Sequence, residues 1–365
     1  AQGQAYEISQ PKPATYRFIG ELNTADFTFP VDGMASATNY QDMNILANPY
    51  TGAMSIDKLD FSGATAADKV VYLFNTGSRK DWIANSGPTT NGTTQGQYTK
   101  AIPTNLAGHV AGMPNQIPSL SSFMVKSTAA GNLKYRYANL VTATEENRAP
   151  QRHFHSLAVD VESAKTADRL WLVQAEGTTD RYDNGWDGEK IFAPGEAALY
   201  AMQDRSYQVT TTESIGETKL GFVPVEGEQN YKLTFHIDGA DGAQQYTLLD
   251  KRTGLTRAIH DGDTYEFTAT KGDAAHRFTI LGSGAKLSED QRGFQISADL
   301  RRNFTVKNFT DQPAEALVFD AAGKIQARFT VEPGSENTGT VVMPGAYVVR
   351  VSNKVTTLTQ RFVMP

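Results

Sequence analysis

One pattern constrains this chain more than any other: apolar and polar residues alternate with a period of two. In YKLTFHID, Tyr231, Leu233, Phe235 and Ile237 fall on one side, and Lys232, Thr234, His236 and Asp238 on the other. A helix would scatter these residues around its axis. An extended strand sends them to opposite faces, one for a core and one for water. TYEFTAT repeats the pattern with Tyr265 and Phe267, and HRFTIL with Phe278 and Ile280. Between such runs stand DGADGA, KRTG, HDGD and KGDAA, whose Gly and Asp suit tight turns. Helical periodicity is weak and confined to TAADKV and APGEAALYAM. Short strands with turn signals every ~8–12 residues predict an all-β protein. The expected architecture is two antiparallel β-sandwich, jelly-roll-like modules followed by a small Ig-like C-terminal β-sandwich.

The expected boundaries are 1–148, 149–284 and 291–365, with EENRAPQRHFH as the first joint and SGAKLSEDQRG as the linker. In the last segment EALVFDAAGKIQARFTV reads as two strands around Ala322-Gly323. GAYVVRVSNKVTTLTQRFV reads as two more around Asn353-Lys354, with Tyr347, Val349 and Val351 sharing one face.

Composition removes whole classes of function. Of 365 residues, 34 are Lys or Arg and 40 are Asp or Glu, a formal net charge of −6 with no basic block. That argues against nucleic acid and against electrostatic attachment to anionic lipid. No apolar run approaches the ~20 residues of a membrane-spanning helix. There is no cysteine, so disulfides, thiol catalysis and cysteine-ligated zinc are excluded. The chain opens on Ala1 and Gln2 without an apolar leader, as a processed secreted protein or a trimmed chain would.

The ending resembles the C-terminal sorting domain of type IX secretion cargo of Bacteroidota. That family places a strand before a D-x-x-G-(K/R) turn, then a P-x-G-x-Y strand, then a short basic and apolar strand. VFDAAGKI supplies Asp320, Gly323 and Lys324, MPGAYVVRV supplies Gly345 and Tyr347, and TQRFVMP closes. One residue is missing between Pro344 and Gly345, and the usual PNP entry is absent near Asp299. Upstream, five segments resemble the same class of protein in the same order: NILANPY, IPSLSSFMVK, DNGWDGEK, LLDKRTG and AHRFTIL. The resemblance implies a secreted or surface-displayed protein of a Gram-negative bacterium, extracellular or at the outer membrane. It implies type IX secretion machinery as a partner of the last module, and no catalysis.

Candidate sites are few. TTDRYDNGWDGEKIF is dense in carboxylates, and Asp183, Asp187 and Gly188 match positions one, five and six of an EF-hand. Gly185 then stands where a third ligand should be, and Pro194 where a bidentate Glu is required, so an EF-hand is excluded. A looser oxygen cage from Asp180, Asp183 and Asp187 would hold a structural calcium; the bland alternative is a loop whose carboxylates accept backbone N–H groups. A glycosidase pair needs two carboxyls held across a sugar-binding cleft; the pattern shows no large α/β scaffold, and sandwich loops commonly supply such pairs. His153 and His155 have a metal-ligand spacing, with His109 or His236 as a distant third, but read better as polar surface. In the long polar segment 75–98, Arg79, Trp82, Asn85 and Tyr98 are the expected glycan contacts. The reading is a non-enzymatic surface protein acting in adhesion or assembly, without a cofactor beyond that calcium and with a host or surface glycan or protein as partner. The alternative is a carbohydrate-binding module of a larger secreted hydrolase.

Overall fold

The alternation of YKLTFHID is realised as a strand, Asn230–Asp238, in which Tyr231, Leu233 and Phe235 are buried and His236 is exposed. The computed structural model describes residues 15, 17, 19–34, 40–75, 97–141, 154–164, 166–192, 196–227, 230–239, 245–252, 255–282, 293–299, 301–354 and 357–364. By contacts the chain divides into two compact units. The first comprises residues 1–215, 223–241 and 261–271; the second comprises 216–222, 242–260 and 272–365. Among the described residues no helix is long and apolar enough to cross a membrane.

The first unit begins with β1 (Phe27–Val31), β2 (Met43–Ala47), β3 (Met54–Ser55), β4 (Asp60–Gly63), β5 (Val70–Asn75), β6 (Gln97–Pro103), β7 (Gln116–Ile117), β8 (Ser122–Lys126) and β9 (Gly131–Tyr135). These form antiparallel sheets in the orders β1-β9-β4, β2-β8-β5-β6 and β3-β7. Next come β10 (His155–Glu162), β11 (Ala167–Gln174), β12 (Gly188–Glu189), β13 (Ala198–Met202) and β14 (Ser206–Thr212). They are followed by β15 (Thr218–Val223), β16 (Asn230–Asp238), β17 (Tyr246–Asp250), β18 (Leu255–Ile259), β19 (Thr264–Thr268) and β20 (His276–Leu281). In the first unit the order is β13-β14-β11-β10-β16-β19 with β12 added against β14; in the second it is β18-β17-β20-β15.

The main core of the first unit draws on both sides of position 148. Phe29, Leu46, Ile102 and Phe123 pack in one cluster with Ala158, Trp171, Val173 and Val209. Phe29 and Phe123 meet edge to face at 5.7 Å between centroids. Each such fully buried ring contributes about 2–3 kcal/mol from apolar area alone.

The all-β expectation holds, with one pair of another kind. β11 runs parallel to β14, Trp171 opposite Val209 and Val173 opposite Thr211. A tight turn cannot join parallel neighbours, so the intervening chain must leave the sheet and return. Residues 175–205 make that connection: the acidic segment opens it, and β12 and β13 within it rejoin the sheet against β14.

In the second unit, β21 (Phe294–Ala298), β22 (Asn303–Asn308), β23 (Ala314–Asp320), β24 (Ile325–Val331), β25 (Glu336–Thr340), β26 (Gly345–Ser352) and β27 (Thr357–Met364) close the chain. Two antiparallel sheets result, β21-β22-β25 and β24-β23-β26-β27. Phe304 and Val306 from the first pack with Val318, Tyr347, Val349 and Val351 from the second, a small sandwich.

Candidate functional site

The excursion between β11 and β14 must satisfy irregular backbone beside a core, and carboxylates perform this task. Asp183 Oδ2 accepts the N–H of Thr179 at 2.6 Å and its hydroxyl at 3.0 Å. Asp187 is buried, and its two oxygens are divided: Oδ2 accepts the N–H of Asp183 and Oδ1 that of Thr211, each at 2.7 Å. Burial pushes the Asp187 carboxyl up to about 7, with the charges of Asp183 and Asp204 adding to the rise and the two N–H bonds opposing it. Trp186 packs against the main core and meets Phe154 edge to face at 5.6 Å.

The neighbouring residues pin the loop to distant chain. Asn184 Oδ1 accepts the N–H of Lys69 at 2.7 Å, and Gly185 O accepts that of Asn105 at 3.1 Å. Gly185 sits at φ +91, where a side chain would be strained. Gly188 has no room for one: an ideal Cβ would lie 2.8 Å from Ala101 Cβ.

Glu189 accepts from Lys126 Nζ at 2.7 Å and Arg205 Nη1 at 2.5 Å. Burial opposes its ionisation, but these two cations outweigh that and hold its carboxyl below the usual range. Arg205 also lies over the Tyr182 ring at 4.4 Å. Lys190 Nζ is 2.6 Å from both oxygens of Asp168, and Asp168 Oδ2 accepts the N–H of Leu199 at 2.7 Å. Nearly every side chain of DNGWDGEK is thus engaged inside the protein.

Asp180 is exposed, apart from these bonds. Among the described residues no group of three or more His, Cys, Asp or Glu side chains is arranged to hold a metal ion. Arg79, Trp82 and Asn85 lie outside the described residues, as does His153; Tyr98 falls on β6. His109 meets Phe154 edge to face at 6.0 Å.

A second polar cluster involves His236, named from sequence only as a distant metal ligand, in a different arrangement. Arg169 grips Asp160 through Nε and Nη2, and His236 Nε2 is 3.0 Å from Asp160 Oδ2. Asp160 and Arg169 border a cleft of about 300 Å³ also lined by Lys100, Gly112, Trp171 and Gln208. The available signal was the register: Asp160 and Arg169 face each other across one hairpin, and only cross-strand pairing brings His236 alongside.

The residues of the C-terminal motif have local work. Asp320 Oδ1 accepts the N–H groups of Ala322 and Lys324, both at 2.9 Å, and these bonds hold its carboxyl below the usual range. Gly323 supplies the turn's left-handed position at φ +80. Tyr347 is buried, donates its hydroxyl to Met343 O at 2.6 Å and meets Phe304 at 5.7 Å. Gly345 pairs with Met364 at the start of β26.

Comparison with known proteins adds the following. The minor fimbrium subunit Mfa5 of Porphyromonas gingivalis is 31% identical over 382 residues, covering 99% of this chain and 31% of that protein. The chain therefore spans about a third of the length of the relative it matches. A solved biofilm associated protein, BSP domain, aligns over 95% of this chain and 64% of that one at 9% identity, with a TM-score of 0.17, below the level of a shared fold. A family model described as "Domain of unknown function (DUF8693)" matches residues 2–281, and the chain belongs to that family.

Proposed function

We propose that this chain is a non-enzymatic component of a cell-surface assembly, of fimbrial or adhesive kind, exported through its C-terminal sandwich. The observation that carries this reading is the similarity to a minor fimbrium subunit across 99% of the chain. The chemistry of the acidic loop supports it: carboxylates that resemble a catalytic set are consumed by backbone N–H groups and buried cations. The turn built by Asp320, Gly323 and Lys324 and the staple built by Tyr347 support the sorting role, because they give the motif a compact, separately packed sandwich to present.

The test is deletion of residues 314–365 in the organism that makes the protein. The expected outcome is full-length secretion only for the intact chain, with the truncated chain retained in the periplasm. Unchanged surface display of the truncated chain would sink the export reading.

A further inference from the structure

The outer face of the C-terminal four-stranded sheet is not composed like a solvent face. Register places Ile325, Phe319, Val348 and Arg361 in one row across β24, β23, β26 and β27, and Arg328, Leu317, Arg350 and Thr359 in the next. Their neighbours Val318 and Val349 point into the sandwich core, so these two rows line the opposite face. Ala346 opposite Val363 extends it. Exposure varies along it: Val363 is 84% and Ile325 43% exposed, Phe319 and Val348 are half-buried, and Leu317 is buried. The Arg350 guanidinium lies 5.3 Å over the Phe319 ring. The carboxylate of the adjacent row, Glu315, is 3.4 Å from Arg328. Apolar residues, an aromatic and Arg, with acidic side chains scarce, is the composition of a protein contact and not of a wetted sheet.

Charge indicates what covers it. Residues 293–365 hold eight Lys or Arg against six Asp or Glu, whereas the rest of the chain holds 26 against 34. The first unit also has a patch of matching character. Met34, 51% exposed, donates its N–H to Asp42 Oδ1, exposed Asp32 precedes it, and Ile45, 53% exposed, lies on the edge strand β2. Apolar groups beside carboxylates complement apolar groups beside arginines.

We propose that the outer face of β24-β23-β26-β27 docks on the Asp32–Met34–Ile45 patch of a second copy of this chain. The two patches differ, so the contact is head to tail and can add further copies instead of closing at two. Four strands and about seven residues give a face of roughly 14 by 23 Å. That is well under the ~800 Å² per partner of a standard interface, so association is weak and salt-sensitive. The inference does not depend on where the chain is displayed.

Sedimentation velocity on the full chain tests it, over roughly 5–200 μM and at about 20 and 500 mM salt. The weight-average sedimentation coefficient is expected to rise with concentration at low salt and to stay monomeric at high salt. Arg350→Glu/Arg361→Glu should weaken association on the order of tenfold, with far-UV circular dichroism unchanged. Val363→Asp, at an exposed position that leaves the core intact, should do the same. Asp32→Lys alone should also be monomeric, and mixing it with the arginine double variant should restore a dimer. A single monomeric species at every concentration in low salt overturns the proposal. So does association indifferent to both face variants, or failure of the charge swap. A chain that reaches the surface yet stays monomeric refutes this inference and leaves the export reading standing.

Discussion

Lys190→Met tests whether the acidic excursion is held by a desolvated ion pair. The Lys190 and Asp168 side chains are 3% and 5% exposed, and the ammonium sits 2.6 Å from both carboxylate oxygens. Removing the ammonium leaves Asp168 with the Leu199 N–H, at 2.7 Å, as its remaining described donor. A buried charge stripped of its partner costs about 3–5 kcal/mol. At an m-value of about 3 kcal/mol/M, the urea midpoint of the first unit falls by about 1–1.7 M. Trp171 lies in that unit's core and Trp186 packs against it, so intrinsic fluorescence reports the transition.

Lys190→Met/Asp168→Asn is the decisive companion. It removes both charges while an amide oxygen still accepts from Leu199. One unpaired amide donor remains, at about 1–2 kcal/mol, so the double variant should be more stable than Lys190→Met. A loss under about 1 kcal/mol in Lys190→Met, or a double variant no better than the single, refutes a desolvated pair.

Further outcomes follow from the same contacts. Asp187, pushed up to about 7 against ~3.9 in the unfolded chain, binds a proton more readily when folded. Its contribution is present at low pH and lost as pH rises through that range, about 2–3 kcal/mol between pH 5 and pH 8; Asp187→Asn should flatten that slope in urea melts. His276 has the opposite sign: burial first, then Lys251 and Lys219, lower it to about 4 against ~6.5 unfolded. The second unit should therefore lose about 1–2 kcal/mol from pH 7 to pH 5, and His276→Gln should remove that loss. Gly188→Ala must push against Ala101 and should cost about 1–3 kcal/mol in the same melts. A chelator should leave the melting temperature unchanged, because Asp183 and Asp187 already accept N–H groups; a calcium-dependent rise would assign a cation to the loop.

The strands were legible where one face is wet. β16 and β26 alternate in burial as their sequences do, with Tyr347, Val349 and Val351 inside. β14 was not legible, because SYQVTTT has no apolar period, yet Gln208, Thr210 and Thr211 are all buried. Its Gln208 side-chain oxygen accepts the N–H of Ala101 and its Thr211 hydroxyl donates to Trp186 O, so polar side chains survive inside by bonding backbone. Parallel pairing of β11 and β14 escaped for a related reason: a crossover is written in no local residue, only in the return of the chain. Carboxylates as N–H acceptors were readable in DNGWDGEK, but the distant donors were not: Lys69 to Asn184, Asn105 to Gly185 O and Thr211 to Asp187 each come from a remote strand or turn.

Spacing separates this loop from a reactive one. Asp183 accepts the N–H four residues before it, and Asp187 accepts the N–H four residues before it, so one relation is used twice in succession. Asp299 and Asp320 make the mirror choice, accepting from Asn303 and Lys324 four residues ahead. All four aspartates stand where the chain turns without a ladder to satisfy its donors, and there a short carboxylate is the nearest acceptor. Catalysis needs a carboxyl that can exchange protons or ligands with something outside the protein. An oxygen already bound to its own backbone at 2.6–2.9 Å must first give up that bond. In an all-β chain, aspartates at this four-residue interval to a glycine or threonine turn are therefore evidence of how the turn closes, and the search for partners belongs on the sheet faces instead.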